Sequence, residues 1–502
     1  MELSSISEEQ VLDRLRFENP WWKSGSIAES IKAFKQRNYF NLFLPLVLEK
    51  NIRRAVVLMG PRRVGKTIML LQVIQKLIDE GINPRQLCYI SIENPYFHNI
   101  PLERLFELAR KASGIKEHEG WFVFFDEIQY LKNWEVHLKS LVDSYHGTKF
   151  IASGSAAAAL KLKSNESGAG RFTDFMLPPL TFYEYIHLSG FEKLIHLKSK
   201  QFRFLAEATD LNTTDIKELN KHFIDYINFG GFPEVVFSAA LRENPMRYIQ
   251  SDIIDKVLLR DLPSLYGIED VQELNAFFSF IAYNSGKEFS FENMTKLSGV
   301  DKITIKKYLT FLEAAYLIKV VQRVDNSAKR FKRANFFKIY LTNPSLRSGL
   351  FSPLVANDDA MGNMVETAIF SQWQVQELNY LFYARWQDGE VDMITIEPGK
   401  LKPAAAAEIK WSNRYIEKPK ELKSLIHFLK QNKLKEAVVT TIDKDGMVEI
   451  DGVKLYFMPS SIFCYWMGEQ NMTYKMLITI VSALAKTFNK ELKTTGTWSE
   501  ND

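Results

Sequence analysis

The pattern of apolar and polar residues divides the chain into several predicted elements. A short continuous apolar run, AVVLM at 55–59, is typical of a strand buried in a parallel sheet. After Lys66 the apolar residues recur at helical spacing. Alternation of such strands and helices predicts an α/β domain over 51–180, preceded by a lead-in at 1–50. The further strands of this domain are predicted at QLCYISIEN (86–94), WFVFFDEIQYL (121–131), KFIASGS (149–155) and AGRFTDFM (169–176).

The pattern changes after residue 180. Residues 181–280 show a helical period with almost no strand signal, which predicts a helical lid that contains an inserted polar piece at 195–222. Residues 281–335 predict two short helices, the second from about Thr304, joined by the turn LSGVD and followed by the strand LIKVVQRV. This order is typical of a winged helix-turn-helix.

A second α/β domain is predicted over 336–467, and residues 468–502 are expected to form a helical stretch and a polar tail. The strand FFKIYL opens this domain, and a helix is predicted over 362–378. The remaining predicted elements are the strands YLFYARW, EVDMITI, PAAAAEIK and EAVVTTI, and the helix KPKELKSLIHFLKQ. The alanine run is unusual for a core strand, where β-branched residues are more common.

Composition limits the function classes. A chain of 502 residues, 46% hydrophobic and 25% charged, is expected to form several globular domains. Its net charge of +4 permits a nucleic-acid partner without requiring one. Cys88 and Cys464 are too few for a disulfide scaffold or a zinc site, which favours a reducing compartment. The polar N-terminus and the lack of an 18-residue apolar run favour a soluble, cytoplasmic protein without membrane contact.

The segment after the first strand predicts a nucleotide site. GPRRVGKT follows the pattern G-x-x-x-x-G-K-[ST], in which glycines allow backbone N–H groups to approach phosphates. Lys66 supplies positive charge to the β and γ phosphates, and the Thr67 hydroxyl suits Mg²⁺. The predicted ligands are therefore ATP and Mg²⁺. The candidate residues are Gly60, Pro61, Arg62, Arg63, Val64, Gly65, Lys66, Thr67 and Ile68.

Two carboxylates at the end of the third strand complete the candidate ATPase site. Asp126 is expected on the metal side, and Glu127 is expected to act as the general base. Ser153 and Ser155, after the fourth strand, are placed to sense the γ-phosphate, although Ser-Gly-Ser is also an ordinary turn. Arg171 suits either a finger that reaches a neighbour's phosphate in a homo-oligomer or an ordinary surface arginine.

Two adjacent tryptophans, Trp21 and Trp22, follow Pro20 in the lead-in. The flat apolar surface of an indole suits packing against a core and also stacking on an adenine ring. The sequence leaves both interpretations open.

The predicted winged helix carries many cations. Lys302, Lys306 and Lys307 lie on its second helix, and Arg323, Lys329, Arg330, Lys332 and Arg333 follow in the wing. Such a cluster is able to neutralise phosphates, which predicts DNA as a partner. The alternative is that the module contacts protein and its charges are solvated.

Several short segments together resemble a known family. They are NPWW, GPRRVGKT, FFDEIQ, SGS, GR followed by LPPLTFYEY, and GGFPEV at 230–235. These segments resemble bacterial and archaeal AAA+ ATPases that carry a nuclease-like C-terminal domain. The resemblance implies an αβα P-loop ATPase core, a helical lid, a winged helix-turn-helix and a terminal α/β domain similar to PD-(D/E)xK nucleases.

The terminal domain contains residues that match the nuclease-fold pattern. Asp392 and Glu408, expected at the ends of adjacent strands, suit a hard cation, and Lys410 lies two residues further along. Glu366 is expected to be an auxiliary ligand. Asp392 follows a valine where the family pattern usually has proline.

Two function classes follow from the sequence. The first is an ATP-hydrolysing, DNA-associated motor or switch whose terminal domain binds or cuts nucleic acid. The second is a nucleotide-controlled signalling or assembly protein whose winged helix and inactive nuclease-like fold mediate protein contacts.

Overall fold

The structure, a computed structural model, describes residues 6–97, 100–154, 170–197, 211–329, 335–373, 380–396 and 402–473. Several sequence predictions lie outside these described residues. They concern Ser155, Arg330, Lys332, Arg333, part of the 195–222 piece and the tail from 474. Within the described ranges, no helix has the length and apolar character needed to cross a membrane.

Four helices form the lead-in: α1 (Glu8–Glu18), α2 (Trp21–Ser24), α3 (Glu29–Lys32) and α4 (Phe40–Leu48). α1 starts at Ser7 because Ser7 and Gln10 form a capping box, which satisfies two helix-end N–H groups. Trp21 and Trp22 are buried, and both indole N–H groups donate to the carbonyl oxygen of Leu87 at 2.8 Å. These contacts favour the packing interpretation of the two tryptophans.

The first sheet contains the strands β1 (Ala55–Met59), β2 (Leu87–Ser91), β3 (Phe122–Asp126), β4 (Lys149–Gly154) and β5 (Phe172–Met176). They are parallel and lie in the order β2-β3-β4-β1-β5. Every position of β1, β3 and β4 is buried, which explains their continuous apolar runs. The predicted parallel α/β sheet is confirmed. The helices between the strands are α5 (Lys66–Asp79), α6 (Leu102–Ser113) and α7 (Trp134–Ser144).

A mainly helical region follows. It contains α8 (Phe182–Ser189), the antiparallel strands β6 (Ile195–Leu197) and β7 (Leu211–Thr213), α9 (Ile216–Phe229), α10 (Pro233–Phe237), α11 (Ala239–Glu243) and α12 (Pro245–Tyr248). Two π-helical turns, Ile249–Ile254 and Val257–Asp261, lead into α13 (Leu262–Tyr266). Strands of three residues are too short to show a clear period of two, so the sequence did not predict β6 and β7.

The next group combines helices with three strands. Its elements are α14 (Val271–Tyr283), β8 (Glu288–Ser290), α15 (Phe291–Ser298), α16 (Lys302–Ala314), β9 (Ile318–Val324) and β10 (Phe336–Leu341). Gly299 ends α15 with φ of 78°, and Asp301 caps α16 by accepting from the backbone N–H groups of Ile303 and Thr304. β10 pairs with both β8 and β9. The predicted boundary at 335/336 therefore separates strands that are hydrogen-bonded to each other.

The terminal elements extend the same sheet. They are α17 (Ser345–Ser348), α18 (Met361–Gln372), β11 (Tyr380–Trp386), β12 (Gly389–Ile396), β13 (Pro403–Glu408), α19 (Arg414–Glu417), α20 (Lys423–Gln431), β14 (Glu436–Thr441), β15 (Gly446–Ile450), β16 (Val453–Pro459) and a helix over 460–473. β11 pairs in parallel with β9, where Tyr383 lies opposite Arg323 and Ala384 opposite Val324. The result is one nine-stranded sheet in the order β15-β16-β14-β13-β12-β11-β9-β10-β8.

The alanine run of β13 has a packing role. Ala405, Ala406 and Ala407 are buried and line a small apolar space together with Phe463 and Trp466 of the 460–473 helix. Small side chains on the strand leave room for these large rings. The helix thereby covers a strand that lacks the usual β-branched residues.

Candidate nucleotide site and carboxylate cluster

The phosphate loop connects the end of β1 to the start of α5, as the motif predicts. A Cβ added at Gly60 would lie 2.2 Å from the carbonyl oxygen of Leu177, so only glycine fits there. Gly65, immediately before α5, has φ of 96°. The loop therefore places backbone N–H groups at a helix N-terminus, an arrangement suited to anionic phosphates.

Lys66 lies over its own loop. Its ammonium donates to the carbonyl oxygens of Gly60 at 3.0 Å and Pro61 at 2.9 Å. Burial lowers the pKa of Lys66, and the carboxylates of Glu127 and Asp126 act in the opposite direction. In these contacts the buried ammonium is bound by neutral carbonyl oxygens. A phosphate is an anionic and therefore stronger partner, so the ammonium is suited to bind a phosphate instead.

Asp126, the last residue of β3, connects the predicted site residues. Its Oδ2 accepts hydrogen bonds from the hydroxyls of Thr67 at 2.7 Å and Tyr89 at 2.6 Å. Its Oδ1 accepts one from the Ser153 hydroxyl. The structure thus brings Thr67, Asp126 and Ser153 together. Their oxygen-rich side chains fit a hard cation such as Mg²⁺.

Glu127 lies just beyond the strand. β3 ends at Asp126, close to the strand end at Asp126-Glu127 that the sequence predicted, and a 3-10 turn, Ile128–Tyr130, follows. Glu127 adopts φ of 53°, and its backbone N–H donates to Ser153 Oγ at 3.3 Å. Its Oε2 accepts from the Gln129 amide at 2.5 Å. This left-handed residue turns the chain at the carboxyl edge of the sheet, beside the phosphate loop.

The two arginines of the loop are paired with the helical region. Arg62 donates to both carboxylate oxygens of Asp261, at 2.7 and 2.8 Å, and to the Tyr130 hydroxyl at 3.0 Å. Arg63, with φ of 64°, donates to Glu234 at 3.1 Å and to Asp252 at 3.0 Å. No local sequence pattern connects these arginines with acids more than 170 residues away.

A further arginine, Arg37, joins three parts of the chain. It donates to both carboxylate oxygens of Glu184 in α8, at 3.1 and 2.6 Å. It also donates to the carbonyl oxygens of Val64 at 3.0 Å and Pro178 at 2.8 Å. Arg37 and Glu184 are buried, so this pair fixes the loop backbone to α8. The sequence did not predict this contact, because a single arginine in a polar stretch carries no signal.

Ile68 and Arg171 differ in their distance from the loop. Ile68 lies in the first turn of α5. Arg171 precedes β5, and its carbonyl oxygen accepts from the N–H of Ala55 at the start of β1. This is the sheet edge opposite the loop, and the side chain pairs there with Asp143 at 2.5 Å. A role of Arg171 in a neighbouring copy stays a prediction.

The four predicted residues of the terminal domain also converge. Lys410 donates to Asp392 Oδ2 at 2.9 Å and pairs with Glu408 Oε1 at 2.8 Å. The sequence predicted Asp392 at the end of a strand, but Asp392 lies within β12. Its Oδ2 also accepts a hydrogen bond from the backbone N–H of Ile409. Glu408 ends β13, so its carboxylate meets Asp392 across two paired strands.

Glu366 enters the same cluster from α18. Its Oε1 accepts from Lys338 at 2.9 Å and from the Tyr340 hydroxyl at 2.6 Å. Lys338 also pairs with Glu390 at 2.8 Å and lies 4.0 Å from Asp392 Oδ1. Lys338 and Tyr340 were missed by the sequence analysis. A lysine inside the apolar strand FFKIYL was the available signal.

The charge balance of the cluster affects its ability to hold a cation. Burial and the neighbouring Asp392 raise the pKa of Glu408 to about 8. Glu408 Oε2 is buried and has no hydrogen-bond partner among the described residues. In the part of the chain that the structure describes, no group of three or more His, Cys, Asp or Glu side chains has a metal-binding arrangement. The acidic features that remain for a cation are the side chains of Asp392 and Glu408 and the unpartnered Oε2 of Glu408, and the raised pKa of Glu408 opposes the charged form that would bind it.

The basic cluster around α16 is only partly exposed. Lys302, Lys306 and Lys307 are exposed, and Lys302 pairs with Glu292 at 2.8 Å. Arg323 instead turns to the sheet, where it lies 3.8 Å from Glu288 and donates to the carbonyl oxygen of Arg385. Lys329 lies in the turn after β9 and is exposed.

Two family models match parts of the chain. A model described as an AAA domain matches residues 52–186, and a domain of unknown function, DUF8612, matches residues 220–355. An uncharacterized protein of Methanocaldococcus jannaschii is 25% identical over 445 residues, which cover 84% of this chain and 92% of that protein. An uncharacterized protein of Haemophilus influenzae is 24% identical over 336 residues, which cover 66% of this chain and 76% of that protein.

Solved structures are similar at low identity. The Walker-type ATPase of Pyrococcus abyssi has a TM-score of 0.39 and 16% identity, with 63% of this chain and 95% of that chain covered. The ORC1 protein of Aeropyrum pernix, solved in complex with DNA, has a TM-score of 0.28 and 10% identity, with 62% and 91% covered. The matched AAA domain contains the phosphate loop, Asp126 and Ser153. Residues 52–186 of the chain are therefore similar to AAA domains, and the phosphate loop lies within them.

Proposed function

We propose that the protein is an ATPase that binds ATP and Mg²⁺ at Gly60–Thr67 and uses nucleotide turnover to control a DNA-binding module. The observation that carries the proposal is the Asp126 carboxylate, which accepts hydrogen bonds from Thr67 of the loop and from Ser153 of β4. A phosphate loop, a strand-end acid and a polar sensor within contact of each other suit a nucleotide triphosphate.

The residues have distinct roles in this proposal. Backbone N–H groups of the loop and Lys66 hold the phosphates, and Thr67 and Asp126 hold the cation. When bound, Mg²⁺ offsets the negative charge of the phosphate oxygens. Glu127 orients and deprotonates the attacking water, and Ser153 fixes the backbone of Glu127.

The proposed DNA module is a winged helix built from α15, α16, β9 and β10. The capped turn between α15 and α16 and the two antiparallel strands after them support this assignment. The exposed lysines of α16 would neutralise backbone phosphates. Each phosphate contact strengthens the salt dependence of binding.

An ATPase assay with a panel of DNA substrates tests this function. The protein is incubated with ATP and Mg²⁺ alone, or with added single-stranded, linear duplex or branched DNA. We expect basal hydrolysis that DNA stimulates. Hydrolysis that no DNA changes would contradict the DNA-controlled part, and an absence of nucleotide binding would contradict the whole proposal.

A protein-contact role is the second candidate for the winged module. Leu297 and Ile303 are 57% and 69% exposed beside the α16 lysines, and Lys302 is already paired with Glu292. Apolar exposure of this kind favours a protein partner. In that case ATP hydrolysis responds to a protein partner and not to DNA.

For the terminal domain we propose a Mg²⁺-dependent phosphodiesterase site built from Asp392, Glu408 and Lys410, with Glu366 as an auxiliary residue. The unpartnered Oε2 of Glu408 supports this proposal. The test incubates the Glu127→Gln protein with DNA in Mg²⁺ or Mn²⁺, beside a version that also carries Asp392→Ala and Lys410→Ala. If the protein with Asp392→Ala and Lys410→Ala still cuts DNA, or if neither protein cuts it, the catalytic assignment is wrong and the domain is a docking surface.

A further inference from the structure

The contact between Arg62 and Asp261 is tighter than the ion pairs that the other loop arginine, Arg63, makes. Its two hydrogen bonds measure 2.7 and 2.8 Å, and the side chains are 13% and 11% exposed. The pairs that Arg63 makes with Glu234 and Asp252 are longer and more exposed. A bidentate guanidinium–carboxylate pair is among the stronger ionic contacts in proteins. Asp261 is therefore the most tightly held acidic partner of the two arginines that belong to the loop itself.

This pair lies on the side of the loop that faces the predicted base. Arg62 also donates to Tyr130, which belongs to the short turn after Glu127. The charges of Arg62 and Asp261 are close enough to Lys66 to act on its pKa in opposite directions, after the larger effects of burial and of Glu127 and Asp126. In the ATP site proposed above, the third phosphate would lie towards the base Glu127, on the side of the loop where Arg62 contacts Tyr130.

We propose that Asp261 competes with the third phosphate of ATP for the Arg62 guanidinium, and that this exchange lets the site distinguish a triphosphate from a diphosphate. The proposal rests on the ATP site proposed above. Asp261 occupies the Nε and Nη2 side of the guanidinium, and that side cannot bind a second anion in the same bidentate geometry at the same time. A triphosphate brings a third anionic group to Arg62, whereas a diphosphate leaves Arg62 with Asp261.

The exchange has a structural route away from the site. Asp261 ends the second of two π-helical turns, a backbone form that often occurs at functional sites. The first turn packs closely on the residue after α17, where a Cβ added at Gly349 would lie 2.7 Å from Ile249 and 3.0 Å from Ile254. Release of Asp261 would therefore loosen one end of the π-helical segment at 249–261, whose other end packs against Gly349.

The test measures the affinities of the full chain for a non-hydrolysable ATP analogue and for ADP, each with Mg²⁺. Asp261→Asn keeps the side-chain shape and removes its charge, and Asp252→Asn is the matched control on Arg63. We expect Asp261→Asn to tighten binding of the analogue by about tenfold and to change ADP binding less than about twofold. The control should leave the ratio of the two affinities unchanged.

Amide hydrogen exchange on the wild-type protein gives a readout that needs no variant. The analogue, and not ADP, should speed exchange in residues 257–266, because Asp261 loses its partner. An unchanged affinity ratio in Asp261→Asn, or exchange that ADP alters equally, would overturn the competition. A wild-type protein that binds neither nucleotide would overturn the ATP site itself, so the two failures are distinguishable.

Discussion

The Thr67 hydroxyl donates a 2.7 Å hydrogen bond to Oδ2 of Asp126, although β4 lies between the strands that position these two residues. Thr67 is the second residue of α5, which follows β1 and the phosphate loop, and Asp126 ends β3. Their contact forms because parallel strands place their carboxyl ends at one edge of the sheet. The site is therefore assembled by the sheet order and not by proximity in sequence.

Lys66→Ala should weaken nucleotide binding. The substitution removes a charge-assisted contact with the phosphates, which is worth about 1.5–3 kcal/mol, or roughly 10- to 150-fold in affinity. A titration with a fluorescent ATP analogue measures the change. Lys76→Ala on the same helix is the control, because Lys76 pairs with Glu80 at the opposite end of α5. Equal affinity in the Lys66 variant and wild type would exclude a phosphate role.

Glu127→Gln should separate binding from hydrolysis. The amide keeps the shape of the side chain but cannot take a proton from water, so turnover should fall by about 10²- to 10⁴-fold while ATP remains bound. Single-turnover hydrolysis and retention of radiolabelled ATP measure the two properties. Glu93→Gln controls for loss of a nearby carboxylate. Turnover at the wild-type rate in Glu127→Gln would remove Glu127 from the mechanism.

DNA binding should depend steeply on salt through α16. If Lys306 and Lys307 each contact one phosphate, the double alanine variant should reduce the slope of log affinity against log salt by about 1.8. Fluorescence anisotropy at several salt concentrations measures this slope. Replacement of Lys420 and Lys423, in the terminal domain, should leave the slope unchanged. If the Lys306/Lys307 variant keeps the wild-type slope, the α16 face does not contact phosphates.

The pKa of Glu408 predicts a pH dependence of stability. Because this pKa is raised to about 8, the folded protein retains a proton that the unfolded chain releases above its ordinary value of 4.5. The stabilising contribution is complete below pH 4.5 and is lost as pH rises through about 8.

Thermal unfolding between pH 4 and 9 tests this dependence, with roughly 2–4 °C expected per kcal/mol. Glu408→Gln should keep the apparent melting temperature higher than wild type at alkaline pH, since the amide does not ionise. Glu449→Gln, at an exposed position, is the control. Parallel pH profiles for wild type and Glu408→Gln would show that Glu408 does not hold this proton.

Arg37→Met should destabilise the protein by about 3–5 kcal/mol, because it leaves the buried Glu184 carboxylate without its partner. The double variant Arg37→Met/Glu184→Leu should regain most of that stability by removing both charges. Denaturant unfolding measures both variants. A single variant as stable as wild type would show that this ion pair does not fix the loop to α8.

Local patterns predicted the first α/β domain well. The run AVVLM, the loop from Gly60 to Thr67 and the run ending at Asp126 each carry their signal within a few residues, because buried parallel strands are continuously apolar. The same holds for α15 and α16, whose start and stop signals are Ser290, Gly299 and Asp301.

Contacts between distant segments were not predictable in this way. Tyr89, Arg37 and Asp261 act on the loop or on Asp126 from separate elements, and their sequence neighbourhoods resemble ordinary surface or core. The position of Lys338 depended on which strands become neighbours of β10, and the sequence pattern does not fix strand order. The carboxylate cluster was therefore predicted without the lysine that joins Glu366 to Asp392.

The pairing of β9 with β11 limits how this protein can be rearranged by evolution or by an engineer. A fragment that begins at residue 336 would lose β8 and β9, and both sides of β10 would become open edges that recruit other chains. Recombination that replaced the terminal elements alone would remove β11, and β9 would then have an open edge where β11 now pairs with it. Exchange of the whole nine-stranded sheet is therefore the rearrangement that leaves the β9–β11 and β9–β10 pairings intact.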